Sequence, residues 1–133
     1  MKNIIEALKE RKGDLLTGKG AAEGYVQQAE IELDTSFASD FRSCLLAFGT
    51  FAFDSHEFTG ISLTPRLSVT EVTRKHRMLN ARIPTNWYVI EEANIDGIVV
   101  WQAPDGKIFL TQYNGAPVQS ATGLEDFLHL STK

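Results

Sequence analysis

The sequence predicts an α+β fold, a mostly antiparallel sheet of about five to six strands backed by helices. Three observations predict it. Apolar residues recur at helical spacing through most of the first fifty positions. After Gly49 the pattern changes to short runs rich in Thr, Phe, Ile and Val, separated by turn dipeptides. Helices and strands also come in blocks and do not alternate as β-α-β, which disfavours a doubly wound parallel sheet. At 133 residues, 43% hydrophobic and 23% charged, the chain has the size and composition of one globular domain, 1–133, able to build a core without disulfide or metal staples.

Each element follows from its local pattern. Residues 3–12 place Ile4, Ile5 and Leu8 opposite Glu6, Lys9, Glu10 and Lys12, a short amphipathic helix. Gly13 ends it, and 13–20 reads as a Gly-rich connector. A second helix over 21–33 has Ala22, Tyr25, Val26, Ala29 and Leu33 at helical spacing. Ser39 is a good N-cap for a third helix, 40–48, whose Phe41, Cys44, Leu45 and Phe48 form one stripe ending at Gly49. Residues 50–62 suggest two short strands around Asp54-Ser55-His56-Glu57. A fourth helix, 69–79, has Ser68 as cap and Val69, Val72, His76 and Leu79 or Met78 as its inner stripe. Segments 86–92, 97–102, 107–113 and about 116–120 then read as a β-meander. Its turns lie at Asn94 to Gly97, at Pro104-Asp105-Gly106 and at Asn114-Gly115, the last a type I′ signal. Pairing across Asp105-Gly106 puts Val99, Trp101, Ile108 and Leu110 on one face, the better core. Val100, Gln102, Lys107, Phe109 and Thr111 fall on the other, a half-covered face. Pro117 marks an edge strand, and Thr122 is placed to cap a closing helix over 123–130.

Charge and cysteine content narrow the function. Net charge is −4 and the isoelectric point near 5.3, the reverse of a general nucleic-acid binder. The charge is uneven, with acidic stretches at 21–65 and 91–133 and basic ones at 1–20 and 66–90. Arg66, Arg74, Lys75, Arg77 and Arg82 form one basic region, but it holds few aromatic residues and acidic blocks flank it. The lone cysteine, Cys44, allows no intramolecular disulfide and fits a reducing compartment. The N-terminus lacks the uninterrupted apolar run of a signal peptide, and no stretch approaches the ~20 apolar residues of a membrane span. The expected location is the cytoplasm, with no membrane partner.

No catalytic pattern survives inspection. Gly13 to Gly20 (GDLLTGKG) matches a phosphate loop up to Lys19. It then offers Gly20 where a magnesium-binding Ser or Thr belongs, and it follows a helix instead of a strand. His56, His76 and His129 stand apart from one another and from the cysteine, so no metal ligand set is signalled. Asp54 to Glu57 has suitable residue types, but neighbours on a strand point to opposite faces and form no triad. Glu91 and Glu92 end a strand and lead into a turn, where solvation is the expected fate. No catalytic residues and no cofactor are assigned.

The order of pieces carries a resemblance. A capped helix reads Ser39-Asp40-Phe41-Arg42-Ser43-Cys44-Leu45-Leu46-Ala47-Phe48-Gly49. Strands follow, then the helix 69–79, then Ile83-Pro84 before the strand 86–92, a Gly-containing hairpin and a short closing helix. This arrangement resembles the SUKH superfamily, which includes the yeast cell-wall regulators and many bacterial immunity proteins. The resemblance spans 21–130, with 1–20 as an N-terminal helix and connector. Family members usually carry Leu-Pro before the third helix and Asn-Gly after it. Here those places read Phe37-Ala38 and Phe48-Gly49, so only the glycine is kept.

The resemblance implies a sheet backed by helices, no catalytic residues and protein partners. Bacterial relatives neutralise secreted or contact-delivered toxins, often nucleases, by binding them in the cytoplasm. The reading is therefore a non-catalytic protein-binding domain, an immunity protein whose partner is a cognate toxin. A regulatory or scaffold module of the same fold and a small-ligand-binding protein are the alternatives. Candidate partner contacts, chosen by charge and expected exposure, are Asp54, Glu57, Glu91, Glu92, Asp96 and Phe109.

Overall fold

The computed structural model describes residues 3–130, except the side chain of Lys12. Helix α1 (Ile4–Lys9) opens with a capping box. Asn3 Oδ1 accepts from the Glu6 amide at 2.9 Å, and the Glu6 carboxylate accepts from the Asn3 amide. Ile4, Ala7 and Leu8 are its buried residues. Strand β1 (Leu15–Thr17), helix α2 (Glu23–Leu33), helix α3 (Ser39–Phe48), strands β2 (Phe51–Phe53) and β3 (His56–Glu57), and helix α4 (Val69–Leu79) follow. The meander is β4 (Tyr88–Glu92), β5 (Ile98–Gln102), β6 (Ile108–Gln112) and β7 (Val118–Ala121), and a single turn of helix, α5 (Leu124–Phe127), closes the chain.

The strands form two antiparallel sheets, β1-β2-β3 and β4-β5-β6-β7, so the α+β reading holds. The extra strand is β1, which lies inside the expected Gly-rich connector. It pairs with β2, Leu15 opposite Phe53 and Thr17 opposite Phe51. Gly18 then donates to the Thr50 carbonyl at 2.9 Å, and Gly20 lies so close to α3 that a Cβ there would sit 2.2 Å from the Leu46 carbonyl oxygen. These glycines serve close backbone packing.

The large core lies between the helices and one face of the meander. Val26, Leu33, Phe41, Cys44 and Leu45 meet Tyr88, Ile90, Val100 and Ile108 there. The opposite face carries a second, smaller cluster of Val72, Ile83, Val89, Val99 and Trp101. Helix α4 contributes to both, Val69 to the large cluster and Val72 to the small one. The outer edge of β4 is satisfied by side chains and loop. Val89 N–H donates to the Thr73 hydroxyl, and Thr59 donates from its amide to the Ile90 carbonyl and from its hydroxyl to the Val89 carbonyl.

Four local expectations are corrected. The β5-β6 register pairs Trp101 with Phe109 and Val100 with Leu110, so Val99, Trp101, Phe109 and Thr111 share one face while Val100, Gln102, Ile108 and Leu110 share the other. The cause is the loop. Ala103 and Lys107 close around Pro104-Asp105-Gly106, and an odd three-residue connection shifts the facing by one relative to a two-residue turn. The β6-β7 turn centres on Tyr113-Asn114, both at positive φ (51° and 59°), one residue before the expected Asn114-Gly115. Ser39 is the first helical residue of α3 and makes no side-chain cap; its predecessor Ala38 donates to the Tyr88 hydroxyl at 2.7 Å. The closing helix is shorter than 123–130, and Asp40, not Thr122, accepts from its first amide, Leu124 N–H, at 2.9 Å.

Candidate functional site

The end of β4 gathers two histidine–glutamate pairs. A β-bulge between Val89 and Glu91 alters the ladder there, leaving Glu91 opposite Val100 and Glu92 opposite Val99. The two carboxylates therefore depart on opposite faces. Glu91 is buried and takes His56 Nδ1 at 2.9 and 3.1 Å, which ties β3 to β4. The His56 ring lies against Phe58 and Phe127, with centroids 5.9 and 5.1 Å away. The hydrogen bond to Glu91 raises the His56 pKa above its ordinary value, against the opposing effect of burial, and the charges of Glu91 and Asp54 add to the rise.

Glu92 faces α4. Lys75 Nζ reaches it at 2.8 Å and His76 Nε2 at 2.5 Å. Burial pushes the Glu92 carboxyl up, but the hydrogen bonds and charges of Lys75 and His76 outweigh it and hold it below the usual carboxylate range. His76 is buried, and its Nδ1 has no hydrogen-bond partner among the described residues. Its ring stands edge-on to that of Trp101, 6.4 Å between centroids. The expectation of solvated glutamates is thus overturned for Glu91. Its cause is tertiary, since a histidine from a different sheet covers it.

Beside Glu92 lies an open groove of about 400 Å³, walled by the last turn of α4 and by the β4-β5 and β6-β7 turns. Leu79, Ile95 and Tyr113 line it while remaining 55%, 60% and 71% exposed, unusual for large apolar side chains gathered at one place. Asp96 joins Glu92 in the lining, and no Lys or Arg does. The turn walls are tightly shaped. Asn94, Asp96, Gly97, Tyr113 and Asn114 all have positive φ. The Tyr113 ring lies on Gly97, where any Cβ would come within 2.4 Å of it, and the Tyr113 amide donates to the Gly97 carbonyl at 3.0 Å.

The other sequence candidates lie elsewhere. Asp54 is exposed in the β2-β3 turn, its amide donating to the Asp14 carbonyl. Glu57, also exposed, pairs with Arg66 at 2.7 Å. Phe109 is half-buried and stacks on Trp87 with centroids 4.0 Å apart. Of the six, only Glu92 and Asp96 line one groove. Leu79, Ile95 and Tyr113 were missed. Leu79 sits on the inner stripe of its helix by spacing, yet both it and Met78, the other residue expected there, are exposed. An isoleucine inside the polar turn Asn94-Ile95-Asp96-Gly97 was the one available signal.

A second open cleft, of about 680 Å³, is lined by polar and acidic groups including Ser39, Asp40, Ser43, Glu125 and Asp126. Its best-placed carboxylates are engaged. Asp40 accepts from the Phe41 and Leu124 amides and from Gln102 Nε2, and Asp126 accepts from the Thr122 amide and hydroxyl. Cys44 is buried at the core and its thiol is pushed far up by that burial. Among the described residues, no group of three or more His, Cys, Asp or Glu side chains is arranged to hold a metal, and no helix is long and apolar enough to cross a membrane.

The fold and site together define an α+β domain with an open groove lined by exposed apolar residues and by the carboxylates of Glu92 and Asp96. The chain belongs to the SUKH_5 family, described as SMI1-KNR4 cell-wall, whose model matches residues 1–129. No curated protein matches the chain.

Proposed function

We propose that this chain is a non-catalytic protein-binding domain, a cytoplasmic immunity protein that neutralises a cognate toxin by docking on it. The groove carries the reading. Large apolar side chains held in the open beside carboxylates have the composition of an interface core with a polar rim. Family membership supports protein partners in general. The net charge of −4 supports a basic partner such as a nuclease, because an acidic surface speeds encounter with one. Asp54, Glu57 and Phe109 extend the proposed contact set beyond the groove, whereas buried Glu91 contributes by holding His56 in place.

The test is rescue and capture. Where a toxin domain is encoded beside this chain, it is expressed with and without the chain, and the purified pair is run on a sizing column. The expected result is restored growth and a stable complex. Growth arrest despite the chain, with no complex, removes the immunity reading. A regulatory module binding endogenous partners is the second reading, favoured by the cell-wall description of the family. A neighbouring toxin gene separates the two.

A further inference from the structure

We infer that Asn114 is a site of spontaneous deamidation, and that the hydrogen bonds of its own turn hold the reaction back in the folded chain. In this reaction the Gly115 nitrogen attacks the side-chain carbonyl carbon of Asn114. A bond forms between them, the bond from that carbon to the side-chain nitrogen breaks, and ammonia leaves carrying the proton of the Gly115 amide. Water then opens the resulting succinimide at either carbonyl, giving aspartate or isoaspartate. Sequence picks the residue. Of the five asparagines only Asn114 precedes glycine, and any larger following side chain obstructs the attacking nitrogen. Asp96-Gly97 and Asp105-Gly106 share the spacing, but a carboxylate resists the same attack, because it is negatively charged and offers no neutral leaving group.

Structure supplies both access and restraint. Asn114 is exposed, and among the described residues nothing hydrogen-bonds to its side-chain amide, so the carbon under attack is open to water. The attacking nitrogen is held. Gly115 N–H donates to the Gln112 carbonyl at 3.0 Å, and Arg82 Nη1 donates to the Asn114 carbonyl at 3.2 Å. Both bonds grip the one peptide unit whose nitrogen must give up its proton and turn toward the side chain. Asn80 Nδ2 pins the next unit, donating to the Gly115 carbonyl at 2.9 Å. Ring closure therefore requires the turn to open locally. The product alters the surface. Asn114 lines the same rim as Glu92 and Asp96, so conversion adds a third carboxylate there. Isoaspartate also inserts a methylene into the main chain next to Tyr113, whose ring is seated on Gly97.

The test incubates the purified full chain in mildly alkaline buffer made with water enriched in heavy oxygen, both folded and in guanidinium chloride, and maps tryptic peptides by mass. Fragment 108–133 holds Asn114 as its one asparagine. Conversion is expected there ahead of every other asparagine, with one labelled oxygen and a mixture of the two acids. The folded chain is expected to react at least about tenfold more slowly than the denatured one, because the turn must first open. R82A removes an exposed arginine, and its global stability is checked by urea unfolding. It should speed the reaction of the folded chain about two- to tenfold, the effect of one lost hydrogen bond. G115A, whose added Cβ meets the Gln112 carbonyl oxygen at 3.0 Å, should slow the reaction at least about tenfold even in denaturant. Asn114 left intact in denaturant, or another asparagine converting first, overturns the site. Equal rates in the folded and denatured chain, or a folded-chain rate that R82A leaves unchanged, overturn the hold of the turn.

Discussion

Glu91 and Glu92 are neighbours in sequence, yet each serves a different histidine on a different side of the sheet. The His56-Glu91 pair has a pH signature. His56 binds its proton more tightly in the folded chain than in the unfolded one. Its contribution is therefore fully present below the unfolded value of about 6.5 and is lost as pH rises through the raised folded value. The stability gap between wild type and H56Q should be widest near about pH 5.5–6 and narrow toward about pH 9, measured by urea unfolding across that range. A gap that widens with pH would show that packing against Phe58 and Phe127, not the charged pair, sets the role of His56. Glu92 works in the opposite sense, since its lowered pKa stabilises above the ordinary carboxylate value and the benefit disappears as pH falls.

At the scale of elements, the short ones depend on distant residues. Helix α5 is a single turn, too short to form alone. Its first amide is held by Asp40, eighty-four positions earlier in the chain, which also takes Gln102 Nε2. Gln102 in turn accepts from the Tyr88 hydroxyl at 2.7 Å, and that hydroxyl accepts from Ala38. One polar network thus fastens α3, β4, β5 and α5 together. D40A leaves the Leu124 amide and the Gln102 amide each short of an acceptor, and should cost about 1–3 kcal/mol. Hydrogen exchange should show the loss first in α5, with α3 retaining most of its protection. Equal loss across both helices would mean that Asp40 acts on α3 alone.

The whole molecule has two apolar clusters on opposite faces of one sheet, and α4 feeds both. They should melt together. F41A in the large cluster and W101A in the small one should each cost about 3–5 kcal/mol. Each should move one common unfolding transition, followed in parallel by far-ultraviolet circular dichroism and tryptophan fluorescence. Separated transitions would divide the chain into independent units and contradict the single-domain reading. The toxin-rescue experiment belongs to this scale as well, because it asks what the assembled surface does.

Local pattern determined most of the inventory of elements and much of the core. The stripe of α3, the Val69, Val72 and His76 part of the α4 stripe, the cap at Ser68 and the four meander strands were legible because side-chain periodicity and capping act over a few residues, whereas Leu79 and Met78, placed inward by spacing, are exposed. Cys44 was read as buried, and it is. Tertiary structure alone decided the rest. A three-residue loop set the β5-β6 register, β1 became a strand only because β2 offered it an edge, and Glu91 was buried by a histidine thirty-five positions away. The groove belongs to this second group. Leu79, Ile95 and Tyr113 come from three separate segments, and their exposure depends on where α4 ends relative to two turns. Periodicity specifies which way a side chain points from its own backbone, but what that side chain then meets is set by contacts distant in sequence.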